Sequence, residues 1–203
     1  MTNERTLFIV DDDPAVRAGL KALLTAKGYA VETFESAEAF LAAKPAAAGC
    51  LLVDVRMPGM SGLDLQRELK RRGSALAVVV ITGHGDVPLA VAALKAGAVD
   101  FLEKPFDRDA LLAAVEEGIR RSAVAQGGGL DRNAAAARVA GLTPREREVM
   151  DLVVQGLPNK VIADRLKVAV RTVEVHRARV MEKSGARNLS ELVRIAIALE
   201  QGR

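Results

Sequence analysis

Hydrophobic and polar positions in the first 121 residues follow two alternating patterns. Helical patterns, with apolar residues at i, i+3, i+4 and i+7, occur between and after short apolar runs rich in Val, Ile and Leu. The runs predict five strands: TLFIV (6–10), YAVETF (29–34), CLLVD (50–54), AVVVIT (77–82) and AVDFL (98–102). Five strands alternating with five helices indicate an α/β domain whose parallel sheet is covered on both faces. YAVETF alternates apolar and polar residues, which predicts an edge strand.

The pattern changes after residue 121. Residues 122–141 contain three consecutive glycines, Gly127–Gly129, and an alanine-rich stretch, which predict a flexible and then partly helical linker. Residues 142–203 carry only helical signals, with helices expected from Pro144, over about 159–166 and 171–184, and from Ser190. Two short helices, a tight turn and a basic helix are typical of a helix-turn-helix. The second domain is therefore expected to be an all-α, four-helix unit.

Charge is distributed unevenly between these two parts. Residues 1–121 carry 15 Lys or Arg and 17 Asp or Glu, a net charge of −2, whereas residues 122–203 carry 14 and 9, a net charge of +5. A basic second domain favours a polyanionic partner. No apolar run reaches the roughly 18 residues of a membrane span, and the polar start does not resemble a signal peptide. We therefore expect a cytoplasmic protein without a membrane partner.

Polar residues with complementary chemistry follow the predicted strands. Ligand sites of open parallel sheets lie at the carboxyl ends of the strands. Asp11 and Asp12 follow the first strand, Asp54 ends the third, Thr82 ends the fourth, and Lys104 comes just after the fifth. Three carboxylates and no softer ligand favour Mg²⁺. The set predicts phosphoryl transfer to Asp54, with the metal on Asp11 and Asp12 and the phosphate against Thr82 and Lys104.

A purely structural interpretation of the same residues is also open. Asp11 and its neighbours would then cap the helix that opens at Pro14, while Asp54 and Lys104 would form an ion pair. Asp13 is in either case the expected N-cap of that helix. The convergence of acid, hydroxyl and ammonium groups on one sheet edge favours the phosphoryl-transfer site.

Five motifs resemble the receiver domain of two-component response regulators, in the NarL/FixJ subfamily. They are VDDD (10–13), VDVRMPGMSG (53–62), ITGHGD (81–86), AGAVDF (96–101) and EKPF (103–106). The resemblance implies a (βα)5 flavodoxin-like fold over residues 1–121. It also implies phosphorylation at Asp54, and Mg²⁺ bound by Asp12, Asp54 and the main-chain carbonyl of Arg56, with Asp11 acting through water.

The resemblance further implies how the phosphate would act. Thr82 and Phe101 form the family's switch pair, Lys104 contacts the phosphate, and the Lys104–Pro105 peptide is cis. The surface of the helix after the fourth strand would form a homodimer in the phosphorylated state, which here indicates Val91 and Lys95. Val91 as an ordinary core residue is the alternative. For His84 two interpretations are open, a residue that tunes the phosphate lifetime and an ordinary loop residue.

The third helix of the basic half has distinct faces. Val173, Val180 and Ser184 are predicted to face the core, and the opposite face presents a mixed set suited to base edges. Residues expected to read bases are Arg171, Val175, Ala178 and Glu182, flanked by Glu174 and Arg179. Residues expected at phosphates are Lys160, Arg171, Thr172, Arg177 and Lys183. From charge and pattern alone, a helical interaction module with a solvated basic face remains open.

LTPREREV, NKVIADRL and RTVEVHRARVMEK resemble the LuxR-type DNA-binding domain, which implies that residues 142–203 bind a two-fold symmetric site on double-stranded DNA. One departure is Ala169-Val170, where the family usually has Ser-Pro, so the third helix lacks an N-cap worth about 1 kcal/mol.

The first hypothesis is a response regulator that accepts a phosphoryl group from a sensor histidine kinase and controls transcription, with RNA polymerase as a further possible partner. An enzyme working through Asp54 is disfavoured by the basic second domain and by the missing P-loop. Control without phosphorylation, or by interdomain release, stays open.

Overall fold

The computed structural model describes residues 6–45, 48–83, 87–124 and 132–200. Their contacts divide the chain into two compact units, residues 1–85 with 96–127 and residues 86–95 with 128–203. The segment 86–95, which the sequence prediction included in the first domain, thus groups with the second unit. His84 and the glycine run Gly127–Gly129 lie outside the described residues.

A five-stranded parallel sheet forms the centre of the first unit. Its strands are β1 (Thr6–Val10), β2 (Ala30–Phe34), β3 (Cys50–Asp54), β4 (Ala77–Thr82) and β5 (Asp100–Glu103). They lie in the order β2-β1-β3-β4-β5, and every neighbouring pair is parallel. The predicted sheet is confirmed, with β2 at an edge. Each residue of β3 and β4 is buried, which explains why those strands are apolar on both faces.

Helices connect the strands of this sheet, and a further helix follows its last strand. They are α1 (Pro14–Thr25), α2 (Ala37–Ala42), α3 (Gly62–Arg71), α4 (Val87–Lys95) and α5 (Arg108–Val124), of which α4 groups with the second unit. Asp13 caps α1 as predicted, since its Oδ1 accepts from the backbone NH of Ala15 at 2.8 Å and that of Val16 at 3.4 Å.

The core of the first unit contains the single cysteine. Cys50 is 0 % exposed, and burial raises the pKa of its thiol to about 12. Because a thiol of such high pKa stays protonated near neutral pH, it is a weak nucleophile. Gly118 leaves the space that the Cys50 side chain fills, since a Cβ there would lie 2.5 Å from Sγ. Cys50 therefore serves core packing.

The strand order fixes where a ligand site can form. β1 pairs with β2 on one side and with β3 on the other, so the connections run in opposite directions from β1. A crevice opens at such a reversal, at the carboxyl ends of the strands. Asp11 and Asp54 lie at this point.

The second unit is helical. After α4, it contains α6 (Arg132–Val139), α7 (Pro144–Val153), α8 (Asn159–Leu166), α9 (Val170–Ser184) and α10 (Leu189–Glu200). The four predicted helices are confirmed within one or two residues at the bounds that were given. α7 and α8 both pack against α9, as in a helix-turn-helix. α6, the helical part of the predicted linker, packs against α9 and α10 and buries Ala135 and Val139.

Two helix starts in this unit differ in their caps. α7 begins with the predicted capping box, in which the Thr143 side chain accepts from the Glu146 NH and the Glu146 side chain accepts from the Thr143 NH. α9 begins after Ala169 and has no side-chain cap, as the sequence predicts. No helix in the part of the chain that the structure describes has both the length and the apolar character of a membrane span.

Candidate functional site

Two of the three predicted acids are buried at the sheet edge. Asp11 is 2 % exposed and Asp54 is 7 % exposed, whereas Asp12 is exposed to solvent. A buried carboxylate is costly unless it is paired and hydrogen-bonded. The two buried acids therefore need a cation and several donors.

Lys104 supplies the cation. Its Nζ donates to Asp11 Oδ2 at 2.7 Å and to Asp54 Oδ1 at 2.9 Å. Partial burial would lower the pKa of Lys104, but hydrogen bonds and Coulomb attraction from the two carboxylates outweigh it and raise that pKa. The ammonium is therefore charged at neutral pH and links β1, β3 and β5.

Backbone and guanidinium groups complete the pairing of the two acids. The Asp13 NH donates to Asp11 Oδ1 at 2.9 Å, and the Arg56 NH donates to Asp54 Oδ2 at 2.6 Å. Arg17, on α1, donates from Nη1 to the main-chain carbonyl of Asp11 at 2.7 Å. Each carboxylate oxygen has a donor and keeps further lone-pair capacity.

Thr82 and Phe101 lie on neighbouring strands and on one face of the sheet. Val80 is in register with Phe101, and Thr82 is two residues further along β4, which places its side chain on the same face. Thr82 is 1 % exposed and Phe101 is half-buried. The Lys104 NH donates to the Thr82 carbonyl at 2.7 Å, and the Lys104–Pro105 peptide is cis as expected. Register therefore brings the predicted switch pair and Lys104 to the same end of the sheet.

The donor set suits a hard divalent cation. Asp11, Asp12 and Asp54 and the carbonyl of Arg56 offer only oxygen, and Lys104 supplies one positive charge against three carboxylates. Within the described residues, however, no three His, Cys, Asp or Glu side chains are grouped closely enough to hold a metal. The chemistry fits Mg²⁺, while the conformation described here has the ammonium between the two buried acids.

Two residues that support this site were missed by sequence reasoning. Glu38, on α2, accepts from the Met60 NH at 2.7 Å and so anchors the loop after β3. Backbone NH groups of Glu38 itself and of Met60 lower the pKa of this carboxyl. Gly62 is buried, and a Cβ there would overlap the carbonyl oxygen of Asp54. Both roles depend on how the chain returns against β3, for which sequence spacing gives no signal.

The predicted dimer residues differ in exposure. Val91 is 3 % exposed within the unit that contains α4, whereas Lys95 is exposed. Val91 is therefore not on an open surface in this structure.

The third helix of the basic half, α9, has the predicted faces. Val173, Val180 and Ser184 are buried. The exposed residues of the predicted reading surface are Arg171, Glu174, Val175, Ala178 and Arg179, and Lys160 on α8 is exposed as well. Thr172 is half-buried. Val175 is 40 % exposed, and Val161 and Val170 are the other large exposed hydrophobic residues in the described chain.

Two of the predicted phosphate contacts are hydrogen-bonded within the domain. Arg177 is half-buried, donates from Nη1 to Asn159 Oδ1, and has its pKa lowered by burial. Lys183 Nζ donates to Glu146 Oε2 at 2.7 Å. This bond from Lys183, with the NH of Thr143, holds the pKa of Glu146 at about 2. These pairings join α9 to α8 and to α7.

The two units match two known families. Residues 7–116 match the response regulator receiver domain, and residues 140–196 match the bacterial regulatory proteins of the luxR family. The chain is similar to the transcriptional regulatory protein FixJ of Azorhizobium caulinodans, at 53 % identity over 199 residues covering 97 % of this chain and 94 % of that protein. FixJ of Bradyrhizobium diazoefficiens is 48 % identical over 198 residues, covering 97 % of each chain.

A solved structure agrees with these matches. The crystal structure of full-length FixJ from B. japonicum has 46 % sequence identity and a TM-score of 0.56, and the match covers 100 % of both chains.

Proposed function

The chain belongs to the FixJ-like response regulators, which join a receiver domain to a LuxR-type DNA-binding domain, and on this premise we propose that phosphorylation of Asp54 controls promoter binding. The family is one of transcriptional regulators and not of enzymes. A receiver domain implies a sensor histidine kinase as partner, and a LuxR-type domain implies DNA. The observation that carries the proposal is the buried pair Asp11 and Asp54 around Lys104.

Asp54 is the phosphoryl acceptor in this proposal. Its carboxylate oxygen attacks the phosphorus of the kinase's phosphohistidine, a P–O bond forms and the P–N bond breaks. Burial at the end of β3 and the Arg56 NH fix the orientation of Asp54. Such transfers depend mainly on positioning and on charge neutralisation. Lys104, already hydrogen-bonded to Asp54, is placed to donate to a phosphoryl oxygen afterwards.

Receiver domains bind Mg²⁺ at the phosphorylation site, and we assign it here to Asp12, Asp54 and the Arg56 carbonyl, with Asp11 acting through water. When bound, the ion neutralises the carboxylates and the phosphoryl oxygens. The support is the oxygen-only donor set and the excess of carboxylates over cations around Lys104.

Thr82 and Phe101 transmit the change. Phosphorylation adds about −1.5 to −2 charges and three acceptor oxygens, to which the Thr82 hydroxyl can donate. An inward movement of Thr82 frees space on the face that it shares with Phe101, and the ring rotates into it. Such a local charge biases a two-state element, whose surface then changes.

Dimerisation through α4 is the proposed output. Val91 is buried in the conformation described here, so a dimer that uses Val91 requires different packing around α4. Lys95 is already exposed. The dimer presents two LuxR-type domains to a two-fold symmetric promoter site, with RNA polymerase as a further partner.

The exposed face of α9 reads the DNA. Val175 and Ala178 suit a thymine methyl group, Arg171 and Arg179 suit guanine, and Glu174 accepts from cytosine. Lys160 and Thr172 contact phosphates in this assignment, and so do Arg177 and Lys183 once their internal partners release them.

The test is size-exclusion chromatography of the full-length chain with Mg²⁺, with and without beryllofluoride, a phosphoryl mimic. Asp54→Asn is compared with the wild type, and Asp64→Asn, which removes a half-exposed carboxylate on α3, is the matched control. We expect beryllofluoride to convert the wild type and Asp64→Asn from monomer to dimer, and to leave Asp54→Asn unchanged.

Three results would contradict parts of the proposal. A dimer in Asp54→Asn would exclude Asp54 as the acceptor. A wild type that stays monomeric while its DNA affinity rises would exclude dimerisation as the output, and would favour interdomain release. If beryllofluoride changes neither the oligomeric state nor the DNA affinity of the wild type, control without phosphorylation is favoured.

A further inference from the structure

We propose that Arg138, on α6, is a positioning residue that fixes the carboxyl end of α9, the DNA-reading helix. The inference rests on the proposed function of the second domain. α6 ends at Val139, whereas the match to the luxR family begins at residue 140. The sequence pattern likewise assigns residues 122–141 to a linker. Arg138 therefore lies outside the segment that the family match defines as the DNA-binding domain.

The guanidinium of Arg138 contacts two helices at once. Nε donates to the main-chain carbonyl of Ser184, the last residue of α9, at 2.7 Å. Nη1 and Nη2 each lie 3.2 Å from Glu191 Oε1, near the start of α10. The final carbonyls of a helix lack intrahelical donors and carry partial negative charge, so a cation there is favourable. Arg138 thus ties the end of α9 to the beginning of α10.

Glu191 is itself fixed in place. Its Oε2 accepts from the Arg187 NH at 3.0 Å, and its own NH donates to Asn188 Oδ1 at 2.9 Å. Partial burial would raise the pKa of Glu191, but hydrogen bonds from Arg187 and Arg138 outweigh it and lower that pKa. An anchored carboxylate restricts the Arg138 guanidinium to one position, which makes the contact to Ser184 directional.

The opposite end of α9 explains why this contact matters. Ala169 provides no side-chain cap, and the ion pair between Arg171 and Glu174 at this end is exposed and lies within α9 itself. Because Arg177 and Lys183 leave their internal partners for DNA phosphates in the proposed function, Arg138 keeps a side-chain contact with the carboxyl end of α9 in the complex. Base contacts need side chains to be held within a fraction of an ångström, and loosening this end affects them first.

The test compares Arg138→Ala, Arg138→Lys and Arg187→Ala in the full-length chain. Arg187 is the matched control because it also pairs with Glu191, at 3.4 Å, but its side chain is 88 % exposed and makes no described contact with α9. The probes are a duplex that the wild type selects from a randomised library and a shuffled duplex of equal length and composition. Affinities are measured over a range of salt concentrations, well below the thermal midpoint of every variant.

We expect Arg138→Ala to lose about tenfold in affinity for the selected duplex, the equivalent of one base contact. The affinity of Arg138→Ala for the shuffled duplex should stay within about twofold of the wild-type value. The affinities of Arg187→Ala for the selected and the shuffled duplex should do the same. Arg138→Lys should be intermediate, since an ammonium keeps the charge but lacks the rigid planar fork of donors that a guanidinium presents. The salt dependence of Arg138→Ala should equal that of the wild type, because no phosphate contact is lost.

Four results would overturn the inference. Equal losses on both duplexes would indicate only a smaller folded fraction, and a shallower salt dependence would indicate a direct phosphate contact. Unchanged affinities of Arg138→Ala for both duplexes would show that Arg138 does not position α9. If the wild type selects no duplex, the proposed DNA binding fails and the role of Arg138 fails with it. If the wild type selects a duplex and only the Arg138 variants depart from the expected affinities, the proposed DNA binding stands and only the role of Arg138 fails.

Discussion

At the scale of single residues, the same side-chain type serves opposite purposes according to what surrounds it. Arg179 makes no ion pair within the described chain and is exposed on α9, while Arg177, two residues earlier, is half-buried against Asn159. Lys183 is bound to Glu146, and Arg145 donates to the Leu166 carbonyl at 2.7 Å. Part of the positive charge that indicates a nucleic-acid partner is therefore used inside the domain.

Lys104 provides the sharpest test at this scale. Replacing it by Met removes the ammonium shared by Asp11 and Asp54, and leaves two buried carboxylates that repel each other. We expect Lys104→Met to lower the free energy of unfolding by about 2–4 kcal/mol in the absence of metal, since one partner of a buried ion pair is lost. Mg²⁺ should restore part of that loss, because it supplies positive charge to the same carboxylates.

Urea unfolding with EDTA and with Mg²⁺ measures both effects. Lys21→Met is the control, since Lys21 is an exposed residue of α1. If Mg²⁺ stabilises Lys104→Met no more than it stabilises Lys21→Met, then the two buried acids are not part of the metal site.

At the scale of elements, the sheet was predictable because burial constrains its sequence. β1, β3 and β4 have the bounds that their apolar runs predict. β5 is displaced, from 98–102 to Asp100–Glu103, because Ala98 and Val99 are apolar core residues that precede the strand. An apolar run indicates which residues are buried. It indicates the bounds of a strand only where the buried residues and the strand residues coincide. The chemistry at the strand ends was predictable because parallel strands bring their carboxyl ends to one edge.

Contacts between elements were not predictable in the same way. Gly62 stands in MPGMSG, where it resembles an ordinary turn glycine, and its packing against Asp54 depends on the path of the chain after β3. The partners of Arg177 and Lys183 depend on the rotation of α9 against α7 and α8, which a helical wheel does not specify. The sequence pattern therefore predicted which residues of α9 face the core and which face outward. It did not predict which of its cationic side chains pair with other residues of the domain.

Gly62 allows a paired experiment. Gly62→Ala places a Cβ against the Asp54 carbonyl and 2.9 Å from Val53 Cγ2, so the end of β3 or the start of α3 must shift. We expect a loss of about 1–3 kcal/mol in the free energy of unfolding, typical of overpacking. Phosphoryl uptake from acetyl phosphate should fall as well, because Asp54 moves with the strand end.

Gly19→Ala is the control for this substitution. Gly19 lies in α1, is exposed, and a Cβ there would meet nothing within 4 Å. Gly19→Ala should raise the free energy of unfolding by up to about 1 kcal/mol, because alanine has the higher helix propensity, and should leave phosphoryl uptake unchanged. Equal effects of the two substitutions would show that the fit of Gly62 against β3 does not matter.

At the scale of the whole molecule, the charge asymmetry gives each part a different electrostatic role. The first 121 residues carry −2 and the remainder +5, and the proposed phosphorylation of Asp54 would add about −1.5 to −2 more to the first part. The proposed site of modification thus lies in the acidic part, whose charge disfavours contact with DNA. Its effect must reach DNA either by doubling the number of basic domains on one duplex or by changing how readily one domain binds.

Salt dependence of DNA binding distinguishes these two routes. The logarithm of the affinity falls linearly with the logarithm of salt concentration, with a slope of about −0.9 for each phosphate neutralised. If the beryllofluoride-treated chain binds as a dimer, two domains neutralise phosphates together, and the slope should be about twice that of the untreated chain. Fluorescence anisotropy over a salt series measures both slopes on one duplex. Equal slopes with a higher affinity for the treated chain would contradict dimerisation on DNA, because release of a single domain raises its affinity without adding phosphate contacts.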